Sequence, residues 1–167
     1  MHAVDRVASF MREFGLKLVT AESCTAGLIA ATLADVPGAG ELLDCAFVTY
    51  SPAAKVSCLG VKPKTLQIHN LTSEAVAREM ALGAARKSAA NVAISNTGVT
   101  DSTDDHIPAG TQCFAWVFKS GAADASPAIY SETVRFSGGR NAIRRSSAEY
   151  ALTQLLNYHE QWRAGSR

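Results

Sequence analysis

Leu18-Val19-Thr20-Ala21-Glu22-Ser23-Cys24-Thr25-Ala26-Gly27-Leu28-Ile29 is the stretch that decides the fold class. A β-branched run over Leu18, Val19 and Thr20 stops at a cluster of small hydroxyl residues, and an alanine-rich helical pattern begins. Such strand-to-helix junctions are the joints of α/β architecture. The junction also sets Ser23 Oγ beside the unpaired backbone N–H groups expected at the positive end of a helix. A nucleophile and a developing oxyanion can both be served there. Ser23 or Thr25 can equally act as a helix cap, and both readings stay open from these residues alone. Cys24 is a rival nucleophile, because a helix N-terminus lowers a thiol pKa. It alternates in direction with Ser23 and has no assigned histidine base, so packing is the simpler role.

Working outward, Val4, Val7, Ala8, Met11 and Phe14 recur at helical spacing, and Gly15 stops that helix. Leu16–Thr20 reads as a buried strand, Thr25–Val36 as a helix ended by Pro37-Gly38, and Cys45–Tyr50 as the next strand. Pro52–Leu59 and Pro63–Ile68 read as short helices, with Gly60 as a C-terminal stop. Thr72 is a candidate N-cap for a long helix reaching about Ala89. Val92–Ser95 is a buried strand, and Asn96–Pro108 a polar, glycine-containing loop. Thr111–Phe118 and Ala128–Phe136 read as strands that pair antiparallel, followed by a helix from about Asn141 to Tyr158. The order predicts an α/β fold over residues 1–167: a three-layer α/β/α sandwich, one domain, with a mixed, mostly parallel sheet and a C-terminal antiparallel hairpin.

Composition narrows the function classes. A chain of 167 residues, 47% hydrophobic and 19% charged, can bury a full core. With 16 Lys+Arg against 15 Asp+Glu, the formal net charge is +1, which argues against a nucleic-acid or anionic-membrane binder. Arg140, Arg144 and Arg145 fall at helical spacing and read as a solvated helix face. The four cysteines show no C-x-x-C pair and no zinc-type spacing with histidine. Charges at Asp5, Arg6, Arg12 and Glu13 interrupt any signal-peptide-like run, and no stretch reaches the roughly 20 apolar residues of a membrane span. A reduced, cytoplasmic setting is expected, with Cys45, Cys58 and Cys113 as core residues.

Lys55 is the candidate base, if burial or a neighbouring cation keeps it neutral. Tyr50, closing a strand, can donate a hydrogen bond into the same cleft. Asn96–Asp105 follows a strand, so it should overlook a site placed at the carboxyl ends of the strands. Its acidic run matches no calcium-loop spacing and reads as a solvated turn, and it lacks the glycine pattern of a phosphate loop. No metal site is expected. His2, His69, His106 and His159 share no spacing with Ser23 that suggests a triad.

Thr20–Gly27, then Phe47-Val48-Thr49-Tyr50-Ser51-Pro52-Ala53-Ala54-Lys55, Gly60-Val61, Pro108-Ala109-Gly110-Thr111 and Phe136-Ser137-Gly138-Gly139-Arg140 occur in one order along the chain. In residue type, order and separation they resemble the C-terminal domain of the CinA (competence/damage-inducible) proteins, the nicotinamide-nucleotide amidohydrolases, across essentially the whole chain. The resemblance implies a stand-alone version of that domain. It implies deamidation of nicotinamide mononucleotide to nicotinate mononucleotide with release of ammonia, by a serine–lysine arrangement without cofactor or metal. By motif position Ser23 attacks the carboxamide carbon, Lys55 takes and returns the proton, and Tyr50 shares the cleft. Backbone N–H groups near Cys24 and Thr25 are expected to hold the oxyanion, a geometric inference from the helix N-terminus. Gly27, Asn96, Thr97 and Gly98 are expected at the substrate. The expected partners are a small pyridine nucleotide and further copies of the chain in a homo-oligomer, not nucleic acid or membrane.

One block departs from the family pattern. Where the family carries Gly-Ile-Ala-Gly-Pro and further glycines, this chain has Asn96-Thr97-Gly98-Val99-Thr100-Asp101-Ser102-Thr103. That change reshapes a wall of the pocket, and Asp101, Asp104 and Asp105 would repel a phosphate that faced them. A different amide substrate, or an inactive nucleotide-binding module, is the alternative. Ala26 stands where the family has glycine, a change expected to suit a helix.

Overall fold

The computed structural model describes residues 2–166. Five strands, β1 (Leu18–Glu22), β2 (Leu43–Val48), β3 (Val92–Gly98), β4 (Thr111–Phe118) and β5 (Ala128–Arg135), form one sheet in the order β2-β1-β3-β4-β5. β1 pairs parallel with both β2 and β3, whereas β4 pairs antiparallel with β3 and with β5. The pairings thus divide evenly, although four of the five strands share one direction.

Two cores flank this sheet, as period-two strands require. Phe114, Trp116 and Phe118 of β4 point into one core with Val92 and Ile94 of β3. They meet α1 (Ala3–Glu13), α2 (Leu28–Ala34) and α6 (Arg140–Gly165) there. Cys113, Ala115 and Val117 point the other way with Ala93, against α5 (Glu74–Arg86). α3 (Pro52–Leu59) reaches that second core through Leu59, and α4 (Pro63–Ile68) follows it. Burial on both faces is why these strands read as near-continuous apolar runs.

α5 is rich in small residues, and at Gly83 a Cβ would overlap the backbone carbonyl of Leu59. This close approach fixes α3, and with it Lys55, against α5. Ser73, not Thr72, caps α5, its Oγ accepting from Val76 N at 3.2 Å. α6 continues to Gly165 because Tyr158 and Trp162 still pack on the first core. Cys45 is half-buried and Cys58 exposed, so only Cys24 and Cys113 are buried thiols.

The junction after β1 differs from the expectation. The helix begins at Leu28, not Thr25, and Cys24–Gly27 form a turn. Ala26 lies at φ 48 and Gly27 at φ 97, both left-handed, so Ala26 is not helical and carries some strain. Neither Ser23 nor Thr25 caps the helix. The carboxylate of Glu22, fully buried, does so. Glu22 Oε1 accepts from the N–H groups of Gly27 (3.1 Å) and Ile29 (2.8 Å), and Oε2 from Ala30 N (3.2 Å). The hydroxyls of Thr20 and Thr25 donate to the same carboxylate at 2.8 and 2.7 Å. Five donors compensate the burial of this acid.

Asn96–Gly98 belong to β3 rather than to a loop, paired with Phe114, Cys113 and Gln112. Their polar composition hid the strand, because the side chains find partners inside the fold. Asn96 Nδ2 donates to Gln112 Oε1 at 2.9 Å, and Thr97 Oγ1 to Leu71 O at 2.9 Å.

Candidate active site

β1 is joined in sequence to β2 on one side and flanked by β3 on the other, which makes the carboxyl ends of these strands a topological switch point. Ser23 leaves β1 there, Thr49 and Tyr50 leave β2, and Thr97-Gly98 end β3. Between them opens a cleft of about 400 Å³ lined by Ser23, Cys24, Tyr50, Lys55, His69 and Asp104 among others, a volume suited to a small-molecule ligand. A larger depression of about 570 Å³ lies around Ala34–Gly40 at the opposite ends of the strands, but it contains no nucleophile–base pair. The candidate site is therefore the smaller cleft.

Lys55 is held by α3, whose first turn is set by Pro52 at its start and by Ser51 Oγ accepting from Ala54 N at 3.1 Å. The side chain runs inward and is only 1% exposed. Its Nζ donates to Ser23 Oγ at 2.9 Å, to Thr49 O at 2.8 Å and to Tyr50 O at 3.3 Å. Burial pushes the Lys55 amine down from 10.5 to about 8. In the neutral form the two carbonyls occupy the amine hydrogens, leaving the lone pair directed at the Ser23 hydroxyl. That is the geometry of a serine nucleophile with a lysine base.

Ser23 is 8% exposed, enough for Oγ to reach the cleft. Its N–H donates to Asn96 O at 3.0 Å and its carbonyl accepts from Ala26 N at 3.0 Å, so the turn is fixed at both ends. Among the described residues, Cys24 N–H is the one backbone donor from Ser23 to Leu28 without an acceptor. It lies one residue after Ser23 and is the candidate oxyanion donor. The Cys24 thiol is buried, accepts from Gln112 Nε2 at 3.4 Å, and has its pKa raised chiefly by that burial. It is therefore a poor thiolate nucleophile.

Three residues expected at the substrate do not line the cleft. Thr25 N–H donates to Asn96 Oδ1 at 3.1 Å, so it is not available to an oxyanion. Gly27 N–H is held by Glu22. Asn96 is fully buried and acts from behind, between Thr25 and Gln112. Thr97 and Gly98 do line the cleft.

Arg144 is not part of a solvated face, whereas Arg140 is exposed but engaged. Arg144 Nε donates to Cys24 O at 2.9 Å and its Nη2 to Thr25 O at 3.3 Å, pinning the Cys24–Gly27 turn from α6. Arg140 borders a 170 Å³ extension of the cleft with Cys24, Tyr50 and Asp101, and donates to Thr100 Oγ1 (2.8 Å), Asp101 Oδ2 (3.5 Å) and Tyr50 Oη (3.3 Å). Asp104 organises its own loop, accepting from His106 N and Ile107 N at 2.8 Å, and these bonds hold its carboxyl below the usual range. Glu22, Arg144 and Gln112 are the contributors the sequence reading missed. The only signal for Glu22 was an acid placed between the strand and its helix.

Fold and site together define an α/β sandwich with a serine–lysine pair at the switch point of its sheet. The chain belongs to the CinA family: the model for the CinA C-terminal domain matches residues 2–159. It is 35% identical over 157 residues to the nicotinamide-nucleotide amidohydrolase PncC of Escherichia coli (strain K12), covering 93% of this chain and 92% of that protein. A competence-damage inducible protein of Symbiobacterium thermophilum is 39% identical over 156 residues, or 91% of this chain, which spans only 37% of that longer relative. The crystal structure of competence damage-inducible protein A (ComA) from Klebsiella pneumoniae superposes with a TM-score of 0.87 at 31% identity, covering 96% of each chain. Among the described residues, no helix is long and apolar enough to cross a membrane.

Proposed function

We propose that this chain is a carboxamide hydrolase of the nicotinamide-nucleotide type, converting nicotinamide mononucleotide to nicotinate mononucleotide and ammonia. The observation that carries the reading is the buried contact of 2.9 Å between Lys55 Nζ and Ser23 Oγ. The PncC relatives supply the substrate class.

In the proposed mechanism neutral Lys55 removes the Ser23 proton as Oγ attacks the carboxamide carbon. The carbonyl oxygen becomes an oxyanion facing Cys24 N–H. Collapse breaks the carbon–nitrogen bond, and the Lys55 ammonium gives its proton to the departing nitrogen, which leaves as ammonia. A water then attacks the acyl carbon while Lys55 accepts its proton. The acid is released and the Ser23 hydroxyl is restored. Tyr50, half of whose surface is open, forms part of the wall along which the substrate lies.

A second reading keeps this chemistry on a different carboxamide, and the pairing of Asp101 with Arg140 in the cleft extension favours it. The test is incubation of the purified chain with nicotinamide mononucleotide, measuring ammonia and nicotinate mononucleotide. Equimolar appearance of both, lost in Lys55→Ala, supports the first reading. Absence of both, with Ser23 still labelled by a serine-acylating probe, moves the assignment to the second.

A further inference from the structure

Three successive peptide units around Ser23 are pinned from different parts of the fold. In the Glu22–Ser23 unit the carbonyl accepts from Thr49 N at 2.9 Å, and the Ser23 N–H donates to Asn96 O at 3.0 Å. In the Cys24–Thr25 unit the carbonyl accepts from Arg144 Nε at 2.9 Å, and the Thr25 N–H donates to Asn96 Oδ1 at 3.1 Å. The unit between them is held through its carbonyl, which accepts from Ala26 N at 3.0 Å. A trans peptide is planar, so its Cys24 N–H points the opposite way. Asn96 therefore takes the N–H on each side of Cys24, one with its backbone and one with its side chain. The N–H between them is left, among the described residues, without an acceptor.

The side-chain half of this clamp has its direction set from further back. Thr25 N–H can only donate and Val99 O can only accept, and the fully buried amides of Asn96 and Gln112 run between them. Gln112 Nε2 donates to Val99 O at 3.1 Å and to Cys24 Sγ at 3.4 Å. Gln112 Oε1 then faces Asn96 and accepts from its Nδ2 at 2.9 Å, which leaves Asn96 Oδ1 for Thr25. Flipping either amide would set donor against donor or acceptor against acceptor in a buried place. Gly98 makes room for the relay, because a Cβ there would overlap the Gln112 amide. Neither Asn96 nor Gln112 lines the cleft.

We infer that Asn96 is a positioning residue for the oxyanion, holding Cys24 N–H towards the developing negative charge, and that Gln112 fixes the direction of the Asn96 amide. The inference rests on the hydrolase reading above and extends it to two residues that touch no substrate. A displaced donor stabilises the tetrahedral intermediate less and leaves the bound amide as it was, so the loss appears in kcat.

The experiment follows ammonia release from nicotinamide mononucleotide by the wild type, Asn96→Leu, Gln112→Met and the double variant between pH 7 and pH 9. Leucine and methionine approximate the size of the amides they replace and make none of their bonds. Asn96→Leu is expected to lose about a hundredfold in kcat with KM changed by less than about threefold, and Gln112→Met about tenfold in kcat. The double variant should resemble Asn96→Leu rather than show the product of the two losses, because both break one relay. The pH half-point should stay near 8, since Lys55 keeps its partners. A merely structural role would move KM and the half-point together. Unchanged kcat in Asn96→Leu, a loss carried by KM, or multiplied losses in the double variant overturns the inference. Should Asn96→Leu fail to fold, Gln112→Met decides, and an unchanged kcat there overturns it. If the wild type releases no ammonia, the nucleotide reading fails on its own, and p-nitrophenyl acetate decides the role of Asn96. Ser23 Oγ then attacks the ester carbon through the same oxyanion, its proton passes to Lys55, and p-nitrophenolate leaves as the acyl–oxygen bond breaks. A p-nitrophenolate burst about a hundredfold slower in Asn96→Leu supports the inference. An equal burst rate, or no acylation of Ser23 in the wild type, overturns it.

Discussion

The lysine that must be neutral to act as a base is the most exposed assumption in the chemistry, and pH tests it directly. Burial brings Lys55 down to about 8. About one molecule in ten then carries the free amine at pH 7, half at pH 8 and about nine in ten at pH 9. Turnover of a carboxamide, followed as ammonia released at subsaturating substrate, should rise about tenfold between pH 7 and pH 9, with its half-point near 8. Lys55→Arg keeps a cation in the pocket but cannot deprotonate, so it should lose the rising limb and about two to four orders of magnitude in rate. The same group leaves a mark on stability. Its folded pKa is depressed below the unfolded 10.5. Between about 8 and 10.5 the unfolded chain therefore binds more protons, and stability rises with pH through that window. Below pH 8 both states hold the proton and the penalty of burying it persists in full, up to about 3 kcal/mol. The difference in urea-unfolding free energy between wild type and Lys55→Met should therefore move in favour of the wild type from pH 8 to pH 10. A flat rate profile from 7 to 9, or a half-point near 10, would refute the assignment of Lys55 as a neutral base.

Three further outcomes follow from the packing around the pair. Glu22→Ala orphans the N–H groups of Gly27, Ile29 and Ala30 and should cost about 3–5 kcal/mol, read as a drop in Tm of about 10 °C. A shift under 2 °C, well below the scale of one lost buried bond, would contradict its capping role. Gly83→Ala places a methyl on Leu59 O and should push α3 away, lowering kcat as well as stability by about 1–3 kcal/mol, although Gly83 touches no substrate. Arg144→Ala releases the carbonyls of Cys24 and Thr25 and should reduce kcat about tenfold with little change in KM, checked by steady-state kinetics.

The layered α/β plan was legible because it rests on local signals: β-branched runs, alanine-rich helices and glycine or proline stops. The start of α2 was not. A hydroxyl cluster before a helical pattern reads as a cap, and only the tertiary structure reveals that Glu22 folds back and takes that role. β3 was read short for a related reason: Asn96 and Thr97 look like loop residues until Gln112 and Leu71 O appear as their partners. Ser23 and Lys55 stood out through the motif blocks, but their contact of 2.9 Å spans 32 positions and depends on α3 packing at Gly83. Arg144 was read as solvated because its partners are backbone carbonyls 119 and 120 positions away, which no sequence pattern announces.

The central claim is that Ser23 is the nucleophile of an amide hydrolysis assisted by Lys55. Ammonia release from nicotinamide mononucleotide by wild type and Ser23→Ala, run side by side, tests it most directly. The account predicts turnover by the wild type and none above background by the variant. Undiminished ammonia release by Ser23→Ala would contradict it.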